Sequence, residues 1–201
     1  YPVEAPTCGA PHGRSMDARL LERAREGDEQ AFAAIAAATV QRFLRVAHRI
    51  LRDGQLAEDA TQQALVKLWR HLPSLRDPAR FDAWSYQLLV KACFSEAKGH
   101  RRWRSDHSLR LTDPPTDLDG LEGVVVRDQL EQGLRKISVD HRAVLVLHYY
   151  IDLPIEQVAV ALDIPPGTVK SRLHRAHQAL RGALEADARP TAVASPTEAT
   201  R

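Results

Sequence analysis

Residues 153–180 read LPIEQVAVALDIPPGTVKSRLHRAHQAL, two short amphipathic segments separated by a turn, the second studded with cations. Pro154 stands where a first helical residue tolerates a missing N–H, and Val158, Ala159 and Leu162 then recur at the spacing of one apolar helix face. Asp163 falls at the turn, and Asp is among the few non-glycine residues that accept a positive φ. Beyond Pro165 and Pro166, Val169, Leu173, Ala176 and Leu180 follow at intervals of four, three and four. Lys170, Ser171, His174, Arg175 and Gln178 fall on the opposite side. From residue 167 to 182 there are four Lys or Arg, two His and no Asp or Glu, so the free face carries a positive field suited to phosphate. A short packed helix, a turn and a second helix with a polar, basic face is the layout of a helix-turn-helix that reads the major groove. A basic amphipathic helix with a merely solvated face is the plainer alternative.

At 201 residues the chain is long enough for one large or two small domains, and its formal net charge of +2 does not announce a nucleic-acid partner. The distribution is more telling than the sum. No apolar run reaches the ~18 residues needed to span a bilayer, and no basic segment leads into an apolar secretory core. A cytoplasmic protein without membrane insertion is expected. Cys8 and Cys93 are too few and too distant for a zinc knuckle or disulfide framework, and Cys93 reads as a small core residue. The nine histidines include no pair at metal-site spacing beside a carboxylate, and no phosphate-cradling glycine loop or nucleophile elbow occurs. The expectation is a protein with no catalytic residues, metal, cofactor or small-molecule substrate.

Residues 1–16 are rich in Pro, Gly and small polar residues, and the only methionine is Met16. They read as a disordered extension or a remnant foreign to the natural chain, with Met16 as the natural start. A first helical domain spans residues 17–104. Asp17 caps a short helix carrying Leu20, Leu21 and Ala24, which Gly27 stops; Asp28 caps a longer one with Phe32, Ile35, Val40, Phe43, Ala47 and Ile50 through to Leu51, with Gly54 at its exit. A third helix is expected from about residue 57 to Leu72, faced by Ala64, Leu65, Leu68 and Leu72 and ended by Pro73. The fourth starts at Asp77-Pro78, with a stripe of Phe81, Trp84, Leu88 and Ala92 flanked by Ser85, Leu89 and Cys93. At its end Lys98, Arg101, Arg102 and Arg104 surround Trp103, a pattern that can track a phosphate backbone while the ring stacks on a base, or else a solvated helix end complementing the dipole.

Residues 105–122 lose all periodicity, hold Pro114-Pro115, and set Asp106, Asp113, Asp117, Asp119 and Glu122 against Arg110. This acidic linker is too long for an ordinary loop within one domain. A second domain, residues 123–186, resumes with Val126, Leu130, Leu134 and Ile137 in register. Ser138 then caps a run containing Val144, Leu145, Leu147 and Tyr150 that leads into the helix-turn-helix. Residues 187–201 read as a disordered tail. The fold class is therefore all-α, a four-helix bundle and a helix-turn-helix domain joined by a flexible acidic linker.

With both halves in view, the chain resembles the extracytoplasmic-function (ECF) sigma factors of bacterial RNA polymerase, members of the sigma-70 superfamily. The resemblance covers roughly residues 20–184. GTVKSRLHRA at 167–176 resembles the family's minus-thirty-five recognition helix, AEDATQQALVKLWRHL at 57–72 its clamp-docking helix, and FDAWSYQLLVKACFSEAKGHRR at 81–102 its minus-ten helix. The resemblance implies a subunit that binds core polymerase through the β′ clamp and directs it to promoter DNA, often held inactive by an anti-sigma partner. It implies Asp59, Gln62, Gln63, Lys67 and Trp69 as polymerase contacts, with core packing as the alternative for Trp69. Arg76, Asp77, Ala79 and Arg80 would capture flipped minus-ten bases, and Lys91, Lys98, Arg101 and Arg102 would hold strand phosphates. Thr168, Lys170, Ser171, Arg172, His174 and Arg175 would contact the minus-thirty-five element. Three positions depart from the pattern: Gln63 stands where Glu is usual, and Ala92 and Gly99 replace an Asn and a basic residue. The competing reading is a stand-alone dimeric regulator whose first bundle dimerises or senses a ligand.

Overall fold

Aspartates start most of the N-terminal helices, each accepting backbone N–H groups that the first turn would otherwise leave unsatisfied. In the computed structural model, which describes residues 16–107 and 124–188, Asp17 accepts from Arg19 N at 2.9 Å and opens α1, Ala18–Arg25. Asp28 accepts from both Gln30 N and Ala31 N at 3.0 Å and opens α2, Glu29–Leu51. The Ala31 N–H bond and the Arg23 guanidinium together hold the Asp28 carboxyl below the usual carboxylate range. The turn after α2 departs from expectation. Arg52, not a glycine, takes the left-handed conformation at φ 61°, and Gly54 begins the next helix instead of closing the last. Asp53 caps that helix, α3, Gly54–His71, by accepting from Leu56 N at 2.8 Å.

Asp77 and Pro78 do start a helical segment, first as a single 3-10 turn over Pro78–Arg80 and then as α4, Phe81–His107. α4 runs on through the first three residues of the stretch read as linker. The second half comprises α5, Val124–Lys136, and α6, Val139–Leu145, which ends in a π-turn over Val146–Tyr150. α7, Ile155–Leu162, and α8, Pro166–Ala188, complete it. Pro154 is the residue before α7 and not its first; Asp163 takes the left-handed turn at φ 58°. α8 likewise takes in the first two residues read as tail; the extension before residue 16, most of the acidic linker, the rest of the tail, and the side chains of Arg104 and Val126 lie outside the described residues.

Two apolar clusters organise the helices. One, at the end formed by α1, gathers Leu21, Ile35, Leu68, Leu72 and Phe81. The other is continuous across both halves, running from Phe43, Val46 and Ile50 through Tyr86, Leu89 and Val90 to Val144, Leu147, Val158, Val169 and Leu173. The halves therefore share a core, because α4 packs on α2 and α3 and also on α7. This explains why the stripe foreseen on α4 was too narrow: Tyr86, Leu89, Val90 and Cys93 are all buried, whereas Trp84 and Leu88 are only half-buried. On α5 the expected core residue Leu130 is exposed, and the close approach to α8 occurs at Gly133, where a Cβ would lie 2.9 Å from the Leu184 side chain.

The left-handed turn at Asp163 gives a direct stability test. Asp163→Gly should stay within about 1 kcal/mol of the parent, losing only an exposed ion pair, whereas Asp163→Val should cost about 1–3 kcal/mol in urea denaturation. Equal stabilities would place this turn in an ordinary conformation.

Candidate nucleic-acid interface

Val169, Leu173 and Ala176 are buried on one side of α8, which fixes the helix in rotation and turns Lys170, Ser171, His174, Arg175 and Gln178 outward. The N-terminal turn is tightened by Pro165, whose carbonyl accepts from Thr168 N at 2.9 Å and Val169 N at 3.1 Å. Ser171 Oγ donates to Thr168 O at 3.0 Å, and Arg175 folds back with Nε 3.3 Å from Ser171 O and Nη2 3.3 Å from Ser171 Oγ. His174 and Gln178 are joined at 3.0 Å. The polar side chains are thus lightly tethered to their own helix and can be exchanged for an external partner at small cost. Arg172 differs: half-buried, its Nη1 lies 3.4 Å from Asp140 Oδ1, so it braces α8 against the start of α6 instead of standing on the free face.

In the first half, Arg76, Asp77, Ala79 and Arg80 are all exposed between α3 and α4. Asp77 accepts from Ala79 N at 3.0 Å and lies 3.4 Å from Arg80 Nε, which gives the loop a defined turn. Lys98, Arg101 and Arg102 line an open cavity of about 640 Å³ with Phe94, Ala97, Val139 and Asp140. The exposed Trp103 ring stands edge-on to His100 at 6.3 Å. Cations and an aromatic face therefore do share the end of α4. Lys91 is placed apart from them: its Nζ is 3.0 Å from Asp163 Oδ2, tying the middle of α4 to the turn of the helix-turn-helix.

On α3, Gln62 and Gln63 are exposed and Asp59 and Lys67 half-buried. Asp59 accepts from Gln55 Nε2 at 3.5 Å, and Gln63 donates to Glu96 of α4. Trp69 is 42% exposed while its ring meets Phe32 edge-on at 4.5 Å, so it both packs and presents a surface. Val66, 47% exposed on the same side, was overlooked, although its spacing from Gln62 and Trp69 signals it. Among the described residues no three His, Cys, Asp or Glu side chains gather where a metal could sit. Burial pushes the Cys93 thiol up to about 12, so it is a packed core group without nucleophilic character.

Residues 35–103 match the family described as Sigma-70 region 2, and residues 127–180 match Sigma-70, region 4. The ECF RNA polymerase sigma factor SigL of Mycobacterium tuberculosis is 33% identical over 144 residues, covering 70% of this chain and 81% of SigL. The chain belongs to the ECF sigma factors of the sigma-70 family. The RNA polymerase sigma-H factor of Pseudomonas aeruginosa is 28% identical over 190 residues, 86% of this chain and 95% of the relative. The fold is shared with the sigma factor RpoE solved in complex with the anti-sigma factor NepR from Bartonella quintana. The match has a TM-score of 0.66 at 22% identity and covers 79% of this chain and 99% of that one.

This sigma factor directs RNA polymerase to promoters and is not an enzyme. Among its described residues no helix is long and apolar enough to cross a membrane. Its departures from the family pattern have visible settings. Ala92 is fully buried, so an Asn there would have to satisfy its amide inside the core, and Gln63 bonds to Glu96, a partner that a Glu would repel. Three arginines escaped the sequence reading: Arg52, Arg135 and Arg142 come from different elements and meet Arg101 only in the folded chain.

Cys93 reports on this packing. In a Cys8→Ser background the native protein should resist Ellman's reagent near pH 8 and release one equivalent of thiolate only in denaturant. Rapid labelling of the native state would mean that α4 is not covered as described.

Proposed function

We propose that α8 reads the minus-thirty-five element through Lys170, Ser171, His174 and Arg175, with Thr168 and the helix N-terminus holding phosphate. Arg76, Asp77, Ala79 and Arg80 take the captured minus-ten bases, and Lys98, Arg101 and Arg102 track the strand, with Trp103 offering a stacking face. The exposed side of α3, with Asp59, Gln62, Gln63, Lys67, Trp69 and the added Val66, docks on the polymerase β′ clamp. The observation that carries the reading is the buried stripe of α8, which leaves a tethered but solvent-facing polar set of the kind base edges require. Arg172 serves in this reading as a support of the recognition helix and not as a base contact.

Lys91 joins the strand-tracking set only after its contact with Asp163 breaks. The two promoter elements are about 25 base pairs apart, roughly 85 Å of duplex axis. A chain whose α4 and α7 share a core cannot span that, so the halves part when the subunit engages polymerase and promoter. An anti-sigma partner, of the kind with which RpoE was solved, fits the same logic as a protein that would act by controlling whether the halves part. The place of action is the cytoplasm.

The deciding experiment is retention of bacterial core polymerase by the purified chain, followed by transcription from a library of promoter-like fragments. Selective initiation is expected; failure to bind core together with tight binding to a palindromic duplex would establish the stand-alone regulator instead. Within that assay Arg175→Ala should relax base preference at one upstream position by about 1–3 kcal/mol, and an unchanged preference removes Arg175 from the reading face. Replacing Lys98, Arg101 and Arg102 by Gln together should flatten the log–log salt dependence of complex formation by roughly 0.7–0.9 per lost phosphate contact. A slope equal to that of the parent would leave these residues as solvated surface.

A further inference from the structure

Four arginines, three on different helices and one in the turn after α2, converge on one cleft between the halves. Arg52 at the end of α2, Arg101 of α4, Arg135 in the last turn of α5 and Arg142 of α6 line a cavity of about 330 Å³, together with Asp53 and His100. The anions nearby are already engaged. Glu131 pairs with Arg52 through Nη2, and Asp53 caps α3 through its bond from Leu56 N. Arg101 and Arg135 make no ion pair with a described residue. Arg142 is only 7% exposed; its Nη1 donates to Leu134 O at 3.3 Å, while its Nε is buried with no acceptor, as is that of Arg52. Burial, then the charges of Arg135 and Arg49, bring Arg52 down to about 10, and burial, then the charge of Arg52, does the same to Arg142. Buried donors without acceptors and mutually repelling guanidinium groups are the complement of a polyanion.

We propose that this cleft binds a small phosphate-bearing anion, a diphosphate or a phosphate monoester, between the two halves of the chain. Planar guanidinium forks match phosphoryl oxygens in pairs, and a doubly charged group with three or more free oxygens can answer several arginines where a carboxylate cannot. The volume lies at the small end of ligand cavities and excludes a duplex. Because the lining comes from both halves, the ligand binds only while they are packed together and stabilises that state by mass action. It also occupies Arg101. The effect on strand capture rests on the role given to Arg101 above; the site itself does not.

The test uses the full chain with sodium pyrophosphate as probe, thermal unfolding as readout, and sodium chloride to hold ionic strength constant. A saturable rise in Tm is expected, with half-saturation about tenfold weaker in Arg135→Gln, which removes one charged donor from an exposed position and leaves the unliganded Tm near that of the parent. No rise beyond the chloride control overturns the proposal, and so does an equal rise in Arg135→Gln, which would mean unspecific attraction to the basic faces. A short single-stranded oligonucleotide forms the second arm. If it stabilises the protein through Arg135 and pyrophosphate does not, the cleft is a strand-tracking surface and the small-ligand site is refuted.

Discussion

Burial of α4 on more than one side constrains nearly everything else in this sigma factor. Tyr86, Leu89, Val90 and Cys93 face a core to which α2, α3, α6, α7 and α8 all contribute. A fully buried side chain of this size is worth about 1.5–3 kcal/mol relative to exposure, whereas the exposed Lys91–Asp163 pair is worth about 1 kcal/mol at most. Apolar burial therefore holds the halves together, and the ion pairs set their register. In the proposed reading, the same seam is what the chain gives up when its halves reach promoter elements far apart on DNA.

Charge is arranged in the same economical way. A net charge of +2 hides a basic face on α8, a cationic end on α4 and an arginine-rich cleft between the halves, offset by carboxylates of which several cap helices or brace them. Asp17, Asp28, Asp53 and Asp77 are all spent on backbone N–H groups at helix starts. Asp140 restrains Arg172, and Glu131 restrains Arg52. Lys170 and Arg175 on α8 and Lys98, Arg101 and Arg102 on α4 have no such carboxylate partner among the described residues and are exposed, where a phosphate backbone could approach.

Though it misplaced the start of α3 and the end of α4, local pattern was enough for the existence of the helices, for the caps at Asp17, Asp28, Asp77 and Ser138, and for the turn at Asp163, because these signals are written within a few residues of one another. The outward set on α8 was legible for the same reason: Val169, Leu173 and Ala176 define the buried side, and its complement follows. Period alone misjudged Leu130, which is exposed, and it missed Tyr86 and Val90, which are buried in the core that helices from both halves share. It left Arg172 off the outward set that holds Arg175; the family resemblance added Arg172, and the position of Asp140 makes it a brace of the helix. Packing in three dimensions alone joined the halves into a shared core, tied Lys91 to Asp163 and assembled the four-arginine cleft. Those arrangements depend on distances between segments far apart in the chain, and one-dimensional periodicity carries no record of such distances.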